Sequence, residues 1–322
     1  MRINLPNSAR LQNLGGFLRK FDPSDPSRLE FSMHDRWVAV HPVVLAFTAS
    51  VADCVTRNGG THTGTVHQIG SLPYLIRMGL FDYLRLNPGR EITAHEESGR
   101  FIPIQRIRTA DELRAFIVNV IPLLHATTAE VEPIRYVISE LVRNVLEHAS
   151  TPGGAFLCAQ FFREAGTLSI GVADDGVGIR RSMSRSFQVA SDWDALALAL
   201  RPGISGTSPR IGGTAYNAGA GLFFIKSIAC ASRNFFIIYS GNAMFKLLRT
   251  PQKEPILLYA NPARDRHTKE VDLPSWRGTF VGVDISVTGQ QSFTSLLKTI
   301  RDAYGLNVKG RRTAKYKKPR FT

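Results

Sequence analysis

The chain has 322 residues, a hydrophobic fraction of 43% and a formal net charge of +14. That length suits about two domains of ~100–200 residues each, and that hydrophobic fraction excludes an intrinsically disordered chain. Three widely separated cysteines, Cys54, Cys158 and Cys230, exclude a disulfide framework and a C-x-x-C metal pair, and agree with a reducing, cytoplasmic setting. In chain order, a first strand is expected at "RLEFSM", leading into "RWVAV" and then a helix over residues 42–57. Pro42 suits its first turn, where the missing N–H is harmless. The surrounding stretch "WVAVHPVVLAFTASVADCV" is broken by His41, Pro42 and Asp53, so it reads as a strand and a soluble helix rather than a membrane span. "MRINLPNSARLQ" has no apolar signal-peptide core. A short strand fits "TGTVHQI", and "LPYLIRMGLFDYL" reads as a helix ended near Gly79. This alternation predicts an open α/β sheet.

After the link "RFIPIQRI", two helices are expected over residues 111–124 and 131–149, then strands at "GAFLCAQFFRE" and "GTLSIGVAD". Residues 179–217 are rich in Gly, Ser and Arg, with a regular pattern only at "DWDALALAL". A segment of this kind inside a domain reads as a functional lid or as disorder. A helix follows over residues 221–232, then strands at "FFIIYSG", "AMFKLLRT", "EPILLYA" and "GTFVGVDIS", and a last amphipathic helix at "SFTSLLKTIRDAYG". The terminal run "VKGRRTAKYKKPRFT" carries seven cations and no acid. It is compatible with a solvated end, or with phosphates of nucleic acid.

Three stretches carry chemistry. In "VISELVRNVLEHAS" an apolar stripe at steps of three and four marks a half-buried helix. Beside it Glu140, Asn144 and His148 recur every four residues, so a carboxylate, an amide and an imidazole share one edge of the helix. In "VADDGVGI" a strand delivers Asp174, and Gly176 and Gly178 follow at alternate positions, where the backbone can turn sharply and approach a ligand. A carboxylate there can accept from an exocyclic amine such as N6 of adenine. In "NAGAGLFFIKSIA", Gly219 and Gly221 precede an apolar helix whose free N–H groups and dipole favour an anion, with Leu222 and Lys226 following. This is not a Walker A loop, which needs G-x-x-x-x-G-K-[ST].

The ordered series E-x-x-x-N-x-x-x-H, D-x-G-x-G, G-x-G-L-x-x-x-K and a strand opening G-T at Gly278–Thr279 resembles the histidine-kinase-like (GHKL) ATPase superfamily, over about residues 111–286. The resemblance implies a two-layer α/β sandwich of the Bergerat type that binds ATP with Mg²⁺. It implies that Asn144 holds the metal, that Glu140 orients or deprotonates the nucleophile, and that His148 lies near the phosphates. Asp174 then reads adenine with Thr279 in support, Gly176 and Gly178 shape that turn, and Gly219, Gly221, Leu222 and Lys226 border the triphosphate. One of the lid arginines (Arg180, Arg181, Arg185, Arg201, Arg210) is a further phosphate contact, which spacing does not single out. A sensor histidine kinase fits less well, because "AHEESGRFIP" puts His95 out of its phosphoacceptor context.

The amino-terminal unit resembles a STAS domain of the anti-sigma-factor-antagonist type, in its strand–helix order and its "RMGLFDYL" ending. It departs from the phosphorylatable members, which have a serine where this chain reads "VHPVVLAF". The expected organisation is a STAS-like α/β domain over residues 1–108, a GHKL domain over 109–304 with a lid at 179–218, and a basic tail at 305–322. The function implied is an ATP-binding regulator: an anti-sigma-type serine/threonine protein kinase or a degenerate relative. An ATP-hydrolysing switch and a nucleotide-binding module without turnover stay open beside it. The expected partners are a protein and, through the basic tail, nucleic acid, with no membrane; a homodimer is compatible with the sequence.

Overall fold

The computed structural model describes residues 1–92, 101–119, 128–162, 164–206, 221–286, 295–302 and 304–305. The phosphoacceptor candidate His95, the glycine Gly219, the lid arginine Arg210 and the basic tail lie outside these residues. The chain is a mixed α/β protein. Its largest element is a seven-stranded sheet in which every neighbouring pair is antiparallel.

The amino-terminal unit opens with β1 (Arg2–Leu5), β2 (Ser8–Ala9), α1 (Leu14–Leu18), β3 (Arg28–Met33) and β4 (Ala39–Val40). Helix α2 (Pro42–Arg57), β5 (Thr61–Gly64), α3 (Leu72–Arg77) and α4 (Leu80–Leu84) complete it. Strands β1, β3 and β5 form a small parallel sheet. The strand expected at "TGTVHQI" lies earlier, at Thr61–Gly64, and shares only Thr63 and Gly64 with that stretch; β3 supplies its partner. The helix expected at "LPYLIRMGLFDYL" is two helices, parted by Gly79 in the left-handed region.

The link "RFIPIQRI" is itself a strand, β6 (Phe101–Ile107), and it forms one edge of the large sheet. Thus the last residues expected in the first domain pair with the second. Helices α5 (Ala110–Asn119) and α6 (Thr128–Asn144) follow, then β7 (Ala155–Phe162) and β8 (Thr167–Ala173). Helices α7 (Gly178–Met183) and α8 (Asp192–Ala199) lie in the expected lid, and α9 (Gly221–Ala231) comes after it. The remaining strands are β9 (Phe236–Gly241), β10 (Ala243–Leu247), β11 (His267–Glu270) and β12 (Trp276–Ser286), and residues 295–302 are helical. The sheet order is β11-β10-β9-β12-β8-β7-β6.

The stretch "EPILLYA" is not a strand. Carbonyls in it are taken by side chains instead of a ladder: Arg233 donates to Glu254 O at 2.9 Å, and Lys226 donates to Tyr259 O at 3.0 Å. Ile256 and Leu257 are left exposed.

Both faces of the large sheet are buried, as its strand sequences require. On β8, Leu168, Ile170 and Val172 join the core beneath α6 and α9, while Ser169, Gly171 and Ala173 point the other way. That second face carries α2, whose residues from Pro42 to Val55 are all buried. A helix apolar on every side belongs between two layers. Here those layers are the small parallel sheet and the back of the large one. Gly171 makes the approach possible, since a Cβ there would collide with the backbone of Pro42 and Val43.

The start of α2 is also pinned by polar contacts. His41 caps the helix, its Nδ1 accepting from Val43 N at 3.1 Å, so Nε2 carries the proton toward Asp284 Oδ1 at 3.2 Å. Ser169 Oγ donates to the same oxygen at 2.5 Å. Burial works against the Asp284 charge, but the His41 and Ser169 contacts prevail and hold its pKa below the usual carboxylate range. The position where a phosphoacceptor serine was absent from the sequence is therefore a buried helix cap.

Candidate functional site

The motif helix does not run as one α-helix to Ala149. After Asn144 its last turn widens into a π-helix, Val145–Ala149, closed by Ser150 in the left-handed region at φ 50°. Single π turns inside helices often mark functional sites. The wider turn rotates His148 away from the straight line that steps of four would give, yet Glu140, Asn144 and His148 all line one cavity of about 340 Å³. That volume falls within the ~300–1,000 Å³ of ordinary small-molecule pockets. Val172 of β8, Ile238 of β9 and Val281 of β12 give it an apolar wall.

Asp174 stands at the end of β8, with its side chain lining the same cavity. Its backbone is clamped: its N–H donates to Thr279 O at 2.8 Å, and its carbonyl accepts from Trp276 Nε1 at 3.0 Å. Gly176 N donates to Asp174 Oδ1 at 2.7 Å. The residue is 3% exposed, and no ion pair to it forms among the described residues. Burial, reinforced by the neighbouring Asp175 charge, pushes its pKa up to about 7 against the Gly176 hydrogen bond.

Thr279 lines the cavity beside Asp174, its hydroxyl 3.3 Å from Ser240 Oγ. Gly178, at φ 75°, opens α7 on the same wall, a backbone region that favours glycine. Gly176 packs against Ala149, at the end of the π turn, and so ties the Asp174 loop to the motif helix.

The opposite group is built by α6 and α9. Gly221 and Leu222 line the cavity, and a Cβ on Gly221 would lie 2.8 Å from Glu140 Oε2 and 3.4 Å from Asn144 Nδ2. The start of α9 thus faces the carboxylate and amide of the motif helix. Burial raises the Glu140 pKa, opposed by Arg143, whose Nη1 donates to Glu140 Oε1 at 2.9 Å. Burial lowers the His148 pKa, with Glu147 opposing. Asn144 Nδ2 is buried with no hydrogen-bond partner among the described residues. Leaving such a group unpaired costs ~1–3 kcal/mol, so a partner from outside the protein is favoured.

Lys226 does not line the cavity. It is 1% exposed, forms an ion pair with Asp265, and donates to Tyr259 O, away from the cavity lining. Its spacing in the motif is right, but its side chain leaves the opposite side of α9, where a buried carboxylate takes it up. Of the lid arginines, Arg180 and Arg181 line a separate surface groove, Arg180 donating to Ala190 O at 2.8 Å. The arginines that do line the cavity are Arg143, inside the first motif, and Arg301, on the last helix. Arg143 was legible as an i,i+3 neighbour of Glu140; Arg301 had no sequence signal.

The described residues contain no group of three or more His, Cys, Asp or Glu side chains able to hold a metal by themselves. Mg²⁺ takes few protein oxygens and completes its shell with phosphate and water. The unpartnered Asn144 atom is the donor Nδ2, which suits an acceptor such as a phosphate oxygen; only the Oδ1 of the same amide is able to ligate Mg²⁺. No described helix is long and apolar enough to cross a membrane, and all three cysteines are free and buried. No protein-family model matches this chain, and no curated protein is similar to it.

Proposed function

We propose that the cavity binds ATP with Mg²⁺, in a Bergerat-type fold of the GHKL superfamily, and that the protein is a nucleotide-dependent regulator of a protein partner. One observation carries this reading. A buried carboxylate without a cation, Asp174, and a buried amide nitrogen without an acceptor, Asn144 Nδ2, meet the same cavity from opposite walls. Both are polar groups whose cost a ligand would offset.

In this reading Asp174 accepts from the exocyclic amine of adenine, against the apolar wall of Val172, Ile238 and Val281. Asn144 supplies the protein oxygen to Mg²⁺, and the start of α9 at Gly221 faces the phosphates. Bound Mg²⁺ supplies charge neutralisation of the phosphates. Glu140 holds or removes the proton of the attacking hydroxyl, and its raised pKa suits that task. Arg143 balances Glu140 before nucleotide arrives, and it lines the same cavity.

The leading activity is transfer to a serine or threonine of a partner, as in anti-sigma-type kinases. A second reading is an ATP-hydrolysing switch, in which the ion pair between helix α2 and the residue after Asp174 joins the amino-terminal unit to the site. Incubation with γ-labelled ATP, with and without cell extract, separates them. Label on a protein supports the kinase, label only in phosphate supports the switch, and no protection of the fold by millimolar Mg-ATP contradicts both.

A further inference from the structure

The two aspartates of "VADDGVGI" point to opposite sides of the large sheet. Asp174 lines the cavity, whereas the side chain of Asp175 is fully buried behind it. There Asp175 accepts from Arg57 Nη2, from Arg277 Nη2 at 3.0 Å and from Thr151 Oγ1. Arg57 is the last residue of α2, and its Nε donates to Asp53 Oδ2 at 2.6 Å, one turn back. The other Asp53 oxygen accepts from Arg106 of β6 at 2.8 Å. The chain Arg106–Asp53–Arg57–Asp175 therefore runs from the edge of the large sheet through the amino-terminal unit to the loop that carries Asp174.

We propose that Arg57 and Asp175 are positioning residues of the nucleotide site, so that helix α2 of the amino-terminal unit sets the orientation and charge of Asp174. This rests on the reading of the cavity as an adenine-nucleotide site. Two physical links connect the pair to Asp174. The first is steric: Asp175 is anchored by three donors, from α2, from β12 and from the loop before β7, which restrains the adjoining peptide. The second is electrostatic: an Asp175 charge balanced by Arg57 and Arg277 disfavours the Asp174 anion less than an unbalanced one. Burial alone would raise the Asp175 pKa, but its hydrogen bonds to Thr151 and Arg57 keep it below the ordinary range, so its charge persists.

Other charges face Asp174 as well. Glu140, Arg143, Glu147 and His148 line the cavity from the motif helix, and Arg301 lines it from the last helix. None of them is altered by changes at Arg57 or Asp175, so they form a constant background for a comparison of variants.

The test is the pH dependence of ATP affinity, measured on the full chain and its variants. A nucleotide amine prefers the ionised Asp174, so parental affinity should fall as pH drops through about 7. Titration of the ATP phosphates is common to every variant and cancels in the comparison. Arg57→Met leaves the Asp175 charge less balanced, which should move the midpoint to higher pH and weaken binding at neutral pH by about tenfold. Asp175→Asn removes that charge and should move the midpoint to lower pH. Arg57→Lys should restore the parental midpoint. If Arg57→Met does not fold, Arg277→Met, whose guanidinium is exposed, should give a smaller upward shift. Midpoints unmoved, or moved the same way by Arg57→Met and Asp175→Asn, would overturn the proposal. A parent that binds no ATP at any pH would overturn the nucleotide reading, and this proposal with it.

Discussion

Asp174 and Asp175 are chain neighbours of one residue type, both buried, and their surroundings treat them in opposite ways. Behind the sheet, Asp175 has two arginines and a threonine, and its pKa is depressed. In front, Asp174 has only backbone N–H groups, Gly176 foremost, and a cavity, and its pKa is pushed up to about 7. On the back face Asp53, Arg57, Asp175, Arg106 and Arg277 are joined by ion pairs. The front face leaves Asp174 and Asn144 unbalanced around an open volume. Unsatisfied groups of this sort concentrate at functional sites, where a ligand completes what folding leaves open.

The back face should break first. Phe47 sits at its centre, in edge contact with Phe17, Phe21, Tyr239, Trp276 and Phe280. Phe47→Ala should therefore cost ~3–5 kcal/mol in denaturant unfolding. A loss below 1 kcal/mol would mean that α2 is not integral to the core.

Lys226→Ala should cost a similar ~3–5 kcal/mol, because it strands the Asp265 charge in the interior. Its effect on ATP affinity should be negligible, which distinguishes the structural lysine seen here from the phosphate ligand that the motif implies. Replacing the pair together, Lys226→Met with Asp265→Leu, should recover much of the stability. Selective loss of ATP affinity in a folded Lys226→Ala protein would restore the lysine to the site.

Asp174→Asn sharpens the contrast, because stability and binding should move in opposite directions. An aspartate ionises near pH 3.9 when unfolded, and here near 7 when folded. The folded state holds its proton more tightly, so Asp174 costs stability as pH rises from about 4 to 7, and the full cost remains above that. Without nucleotide, Asp174→Asn should thus be more stable than the parent at pH 8, on the order of 4 kcal/mol, and nearly equal at pH 4. Its adenine-nucleotide affinity should fall by ~1.5–3 kcal/mol, the worth of one charge-assisted hydrogen bond. Thermal unfolding at the two pH values, beside a nucleotide titration, reads both signs.

Glu140→Ala should perturb the fold least. The Arg143 contact it removes is half exposed, and such pairs contribute ~0–1 kcal/mol. Nucleotide binding should survive while any turnover disappears, and turnover at the parental rate would make Glu140 structural.

Much of this site was legible in the sequence. The period of α6, the alternation in β7 and β8 and the glycines before α9 brought Glu140, Asn144, Asp174 and Gly221 to one cavity. Local pattern governs such elements, because each buries a face of its own. What escaped was set by distant partners. Strand β6 looked like a linker because its ladder lies with β7, some fifty residues on. "EPILLYA" looked like a strand, but Arg233 and Lys226 capture its carbonyls. The Arg57–Asp175 pair spans 118 residues, and neither "TRNGG" nor "DDG" announces the other. The π turn was hidden for a different reason: widening one helical turn leaves the apolar period almost unchanged.

The central claim is that Asn144 and Asp174 open onto one Mg-ATP site, and calorimetric titration of the folded protein with ATP, with and without Mg²⁺, tests it most directly. The account predicts saturable binding with one nucleotide per chain, strengthened by Mg²⁺ in the parent. In Asn144→Ala that strengthening should be lost, while the metal-free affinity is kept. Binding of Mg-ATP by Asn144→Ala at parental affinity would contradict the metal assignment, and absence of binding in the folded parent would contradict the site itself.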